Sequence, residues 1–133
     1  MKSYTDIEQS KKLAEILPMD SADNVIVSFG SREGTKTVVM PKETLDVIRT
    51  PFSDIRETTM CWSLAALLEQ FPYELCDDDG NSSYLEINKE DDVYQLVYTD
   101  PYGDFESIET DRYEHFIDAC YEMIIRLNEL NLL

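Results

Sequence analysis

Apolar positions recur at helical spacing towards the two ends of the chain and in strand-like runs between them. Ile7, Ala14 and Leu17, with Leu13 and Ile16 beside them, form one stripe. Thr5 and Glu8 have the spacing of a capping box, so a helix is predicted over 5–17 and stopped by Pro18. The β-branched runs 24–29 and 35–40, separated by Gly30-Ser31-Arg32-Glu33-Gly34, predict a hairpin. Pro41 suits the first turn of a short helix through Leu45, Val47 and Ile48. Segment 50–59, broken by Pro51, fits neither period.

The stretch 60–72, MCWSLAALLEQFP, places Leu64, Leu67, Leu68 and Phe71 at i, i+3, i+4 and i+7. That pattern predicts a short, almost wholly apolar and therefore buried helix ended by Pro72. Beyond it come short runs at 73–76, 83–88, 93–99 and 105–108. They are separated by Asp77-Asp78-Asp79-Gly80-Asn81, by 89–92, and by Asp100-Pro101-Tyr102-Gly103, which has the residue order of a type I turn. These runs predict a β-meander. Pairing Asn88 with Val93 puts Leu85, Ile87, Tyr94 and Leu96 on a core face, and Tyr84, Glu86, Val93, Gln95 and Val97 on the other. Asp111 and Glu114 form a second capping pair. It opens a helix over 111–130 with the stripe Tyr113, Phe116, Ile117, Cys120, Met123, Ile124, Leu127 and Leu130. The expected fold is α+β: an antiparallel sheet, meander plus hairpin, with helices packed mainly on one face, in a single domain over 1–133.

Charge changes this picture. The net charge is −17, and it is uneven. Residues 1–66 carry eight Lys/Arg and ten Asp/Glu, net −2; residues 67–133 carry three and eighteen, net −15. Such a field repels nucleic acid and anionic membranes and suits a basic partner or a cation. No run reaches the length of a transmembrane helix, and MKSYTDIEQSKKL has no apolar signal segment, so a cytoplasmic protein is expected. Cys61, Cys76 and Cys120 have no metal-like spacing and read as free thiols.

Four constellations invite a chemical reading. Cys61 precedes a predicted helix, which can activate a thiol, but Trp62 and the leucines beside it read as core and Cys61 goes with them. His115, Asp118 and Cys120 crowd one helix and leave no room for a substrate among them. Aligned as an EF-hand on Asp77, the chain has Ser82 where glycine is required and Asn88 where glutamate is required. A meander nonetheless brings the turns 77–81 and 100–104 to one end of the sheet. Asp77, Asp78, Asp79, Asp100 and Asp104 then form an acidic binding face, and Asp77, Asp79, Asp100 and Asp104 a candidate site for Ca2+ or Mg2+; a solvated acidic turn is the commoner outcome. No other cofactor is expected.

CWSLAALLEQFP and FIDACYEMIIRLNELNLL together resemble an uncharacterised family of small proteins from phages, prophages and mobile elements of gut Bacteroidales. Its marks are a helix opened by Trp-Ser-Leu and a closing helix with Asp-Ala-x-x-Glu-Met, here Asp118, Ala119, Glu122 and Met123. KKLAEILPMDSADN resembles the family's leading helix. The resemblance implies a bacterial host cell; the family has no assigned activity, so no catalytic residues are carried over from it. Within the motif, Trp62, Leu64, Leu67 and Leu68 are expected to pack against Met123, Ile124 and Leu127. Asp118 and Glu122, at i, i+4, either face solvent or meet a cation or Arg126. The expected function is a non-enzymatic acidic module for protein–protein interaction, its oligomeric state open. The alternatives are a DNA mimic that inhibits a nucleic-acid-binding defence protein, a toxin-immunity protein and a small metal-dependent enzyme.

Overall fold

The computed structural model describes residues 2–31, 34–49, 55–104 and 106–133. Among the described residues, four α-helices and seven strands form an α+β fold with two antiparallel sheets, one built on the hairpin and one on the meander. The chain divides into two compact units, residues 4–66 and residues 67–133 with 1–3.

In the first unit, β1 (Asn24–Ser31) lies between β2 (Gly34–Pro41) and β3 (Ile55–Cys61). Its run of Val25, Ile26 and Val27 is buried because a central strand covered on both faces has no polar side to present. Val25 and Val27 pack with Leu45 of α2 (Thr44–Arg49), joined by Phe29, Met40, Ile55 and Met60. α1 (Ile7–Ala14) serves the opposite face, where Lys11 pairs with Glu57 at 3.4 Å. Residues 55–61 resolve part of the stretch that fits neither period. Positions 50–54, and the hairpin turn at Arg32 and Glu33, lie outside the described residues.

α1 is shorter than 5–17, and its capping box is Asp6 with Gln9 rather than Thr5 with Glu8. Thr5 is otherwise engaged. Its buried Oγ1 accepts the Trp62 N–H at 3.1 Å and lies 2.7 Å from Ser10 Oγ, while its N–H donates to Trp62 O at 3.0 Å. Pro41 closes β2 instead of opening α2, because its carbonyl and ring fit a strand end that needs no N–H. The apolar helix of 60–72 contracts to α3 (Leu64–Leu68), whose Ala66 N–H is capped by Ser63 Oγ at 3.2 Å.

The second unit is a meander in the order β4 (Glu74–Cys76), β5 (Ser82–Glu90), β6 (Val93–Thr99) and β7 (Ile108–Glu109), with α4 (Phe116–Glu129). Glu90, not Asn88, pairs with Val93, a shift of two residues. The connection is the two-residue turn Asp91-Asp92, whose φ angles of 47° and 64° match the left-handed pair a tight hairpin demands. An even shift preserves the alternation, so the predicted partition of side chains between faces stands. Leu96 and Tyr98 are fully buried on the face towards α4, where Tyr94 stacks on Phe116 with centroids 5.2 Å apart. Ile87, on the same face, remains 50% exposed. Phe105 lies outside the described residues, and the last strand begins at Ile108.

α4 starts at Phe116 rather than at 111, and Asp111 and Glu114 do not cap it. Tertiary hydrogen bonds claim that segment first. Tyr113 and Tyr94 exchange backbone bonds of 2.9 and 2.6 Å, Thr110 Oγ1 accepts from Leu96 N at 3.1 Å, and the Asp111 N–H donates to Glu122 Oε2 at 2.7 Å. From there the stripe holds: Ile117, Cys120, Met123, Ile124 and Leu127 are wholly buried, whereas Leu130 lies past the helix end and is exposed.

Candidate interaction surface

The turns at 77–81 and 100–104 do fall at one end of the meander. Gly80, Asn81, Tyr84, Asp100 and Tyr102 line one depression of about 220 Å³. Within it the carboxylates serve the backbone. Asp77 Oδ1 accepts the N–H groups of Asp79 and Asn81 at 3.0 and 2.8 Å, and Oδ2 accepts Asn81 Nδ2 at 2.9 Å. Those bonds, the Asn81 side chain first, hold the Asp77 carboxyl below its usual range. Asp100 accepts from its own turn in the same pattern, taking the Tyr102 N–H at 2.8 Å and the Asp104 N–H at 2.9 Å. Gly80 and Gly103, at φ 81° and 75°, supply the left-handed positions. Asp78, Asp79 and Asp104 are exposed. Among the described residues no three His, Cys, Asp or Glu side chains converge to hold a metal ion.

The broader acidic surface is a sheet face. Strand pairing aligns Glu86, Val97 and Glu109 in one row across β5, β6 and β7, and Glu74, Tyr84 and Thr99 in another across β4, β5 and β6. These side chains project opposite to Leu96, Tyr98 and α4, as does Glu90. Glu74, Glu86, Glu90 and Glu109 are all exposed. Two strand spacings separate Glu86 from Glu109, about 10 Å, and four residues of β5 separate Glu86 from Glu90, about 14 Å. Tyr73, 81% exposed, meets Tyr84 edge to face at 5.8 Å. Beside this face, an open groove of about 550 Å³ runs between β7 and the end of α4. Asp77, Glu106, Glu109 and Glu129 supply its acidic lining, and Ile108, Leu130 and Leu132 its apolar lining.

The sequence places the acidic surface in the aspartate turns and, of these four glutamates, only Glu86 on the outer sheet face. Alternation along β5 marks Glu86 and Glu90, but Glu74 and Glu109 join them only through strand pairing.

The other candidates are structural. Cys61 ends β3 and no helix begins at it; burial, then the charge of Asp23, pushes its thiol up to about 12. Burial does the same for Cys120, also to about 12. Such thiols stay protonated and inert at neutral pH. Asp118 Oδ1 pairs with Lys2 at 2.7 Å. Glu122 meets Arg126 at 3.1 Å, as one of the two expectations for that residue had it. Trp62, Leu67, Met123 and Leu127 are fully buried, and Leu64 and Leu68 half-buried. Trp62 Nε1 donates to Ser21 Oγ at 2.9 Å. Asp23 accepts the Ser63 N–H at 2.9 Å and its hydroxyl. Burial opposes charge on Asp23, but the Ser63 bonds, with Asn24, outweigh it and hold the carboxyl below its usual range.

No family model matches the chain, and neither a curated protein nor a solved structure matches it. No helix among the described residues is long and apolar enough to cross a membrane.

Proposed function

We propose that the protein is a non-enzymatic interaction module whose acidic meander face docks a protein with a basic surface. The observation that carries this reading is the open sheet face with Glu74, Glu86, Glu90 and Glu109 around Tyr73 and Tyr84. Carboxylates steer a basic partner and fix its register, and rigid tyrosines supply contact area at small entropic cost. The resemblance of the Trp-Ser-Leu and Asp-Ala-x-x-Glu-Met segments supports a phage or mobile-element protein acting inside a bacterial host.

One spacing favours a second reading, mimicry of DNA. The roughly 14 Å between Glu86 and Glu90 is close to four base-pair rises of about 3.4 Å. Capture of partners from a Bacteroidales lysate tests both. The native chain is compared, across a salt series, with a variant carrying Glu74→Gln, Glu86→Gln, Glu90→Gln and Glu109→Gln. The expected result is a partner released by salt and lost in the variant. Equal retention by both proteins at high salt would refute docking through this face. Displacement of the bound partner by duplex DNA would select the mimic.

A further inference from the structure

The outer edge of the three-stranded sheet offers a surface independent of the acidic face. β2 is an edge strand, and residues 34–39 are exposed in succession. Its backbone phase follows from two facts. Asn24 lies opposite Pro41, which has no N–H, and Lys42 N donates to Asp23 O at 3.2 Å. In an antiparallel ladder this marks Asn24 and Pro41 as a non-hydrogen-bonded pair. Counting back along the unbroken register, Met40, Val38 and Lys36 exchange bonds with β1, while Val39, Thr37 and Thr35 turn their N–H and C=O groups outward. Among the described residues no strand lies on that side. Val38 and Val39 are 45% and 38% exposed on opposite faces, and Lys36 is the strand's one charge. An edge this long, with no bulge and no internal proline, has few of the features that prevent strand addition.

We propose that this edge pairs with the same edge of a second copy of the chain, antiparallel about a two-fold axis at Val38. The result is one six-stranded sheet, β3-β1-β2 continued by β2-β1-β3 of the second copy. Outward backbone groups are satisfied by an extended strand, and a second copy brings one of the same length and phase. Centring on Val38 sets Thr37 opposite Val39 of the second copy, both in the outward phase. It sets Val38 against Val38 in a non-hydrogen-bonded pair, where side chains approach most closely. Lys36 then lies opposite Met40 of the second copy, which keeps the two lysines about 14 Å apart.

Charge selects this edge for self-association. Residues 4–66 hold seven Lys/Arg against ten Asp/Glu, net −3, whereas residues 67–133 with 1–3 hold four against eighteen, net −14. A strand edge buries less than the roughly 1,200 Å² of a stable interface, so the dimer forms and dissociates with concentration.

Sedimentation equilibrium of the full chain from micromolar to millimolar concentration tests this. The expected result is a reversible monomer–dimer equilibrium that added salt strengthens and Val38→Lys abolishes, with the circular dichroism spectrum unchanged. A Val38→Cys chain lacking the exposed native thiol (Cys76→Ser) is expected to cross-link under mild oxidation. Val47→Cys, on the 72% exposed site in α2, is expected not to. If Val38→Lys fails to fold, the cross-linking pair decides. A native chain that stays monomeric throughout, a Val38→Lys dimer as tight as the native one, or equal cross-linking at both cysteines overturns the proposal.

Discussion

The two sheets solve the burial problem in different ways. In the three-stranded sheet the middle strand is apolar on both faces, and helices sit against both. The exposed cost falls on β2, whose valines reach solvent at the edge. In the meander, α4 covers one face, and on the other β5 presents Tyr84, Glu86, Asn88 and Glu90 to solvent beside a buried Val97. A sheet covered on one face can carry a large charge on its open side, and 18 of the 28 acidic residues lie in the half that contains it. One sheet therefore exposes backbone edge, while the other exposes charge. The two surfaces should respond to salt in opposite directions, because screening weakens attraction to a basic partner and relieves repulsion between copies.

The largest expected effect comes from breaking each core separately. Trp62 is wholly buried in the first unit and Leu96 wholly buried in the second. Trp62→Ala removes the largest buried side chain and its Nε1 bond to Ser21 Oγ, and should cost about 3–5 kcal/mol. Leu96→Ala, a smaller cavity, should cost about 2–5 kcal/mol. Urea unfolding of both variants measures the losses. A cost below about 1 kcal/mol at either site would contradict the packing described.

Next in size is the open face. Converting Glu74, Glu86, Glu90 and Glu109 to Gln should weaken a basic partner by roughly tenfold or more while moving stability by about 0.5 kcal/mol per site or less. Titration calorimetry and thermal melts separate the two effects. A stability loss as large as that of Leu96→Ala would mean the glutamates are structural.

What the sequence disclosed about these surfaces follows from the range of the forces involved. Period alone located α4, because five of its stripe residues are buried against the sheet side of the unit. Its start was misplaced because Asp111 and Glu114 imitate a local cap while Tyr113 is held by Tyr94, nineteen positions earlier, in a backbone exchange no local pattern shows. β3 was illegible for the same reason: Arg56, Glu57, Thr58 and Thr59 have little apolar alternation, and pairing with β1 makes them a strand. The face partition of the meander survived a wrong register because the error was even. The turns at 77–81 and 100–104 are readable down to their glycines, and two of their aspartates, Asp77 and Asp100, accept N–H groups of the turns themselves.

A smaller effect belongs to the junction in the first unit. Asp23 holds both the N–H and the hydroxyl of Ser63, and Ser63 Oγ in turn caps Ala66. Asp23→Ala should cost about 1 kcal/mol, the low end for a charged acceptor because the carboxylate is partly open to water. Its folded pKa lies below the ordinary 3.8. The contribution is therefore full above that value and lost as pH falls through the lowered one. Stability measured against pH should show a shallower acid limb for Asp23→Asn than for the native chain. Identical limbs would mean that Ser63 does not depend on the charge.

The smallest effect separates order from stability in the acidic turn. Asp77 is only half-buried, so water competes for its bonds, yet three donors converge on it. Asp77→Ala should leave the melting temperature nearly unchanged. Amide exchange should quicken at Asp79 and Asn81, whose N–H groups lose their acceptor, and not at Tyr102 and Asp104, which Asp100 holds in the neighbouring turn. Acid should mimic the substitution as the carboxylate protonates below its lowered pKa. If exchange at Asp79 and Asn81 is already as fast in the native chain as in Asp77→Ala, the carboxylate does not order the turn. It would then belong with Asp78 and Asp79 on the surface offered to a partner, and Asp77→Asn should weaken docking by as much as a glutamate substitution does.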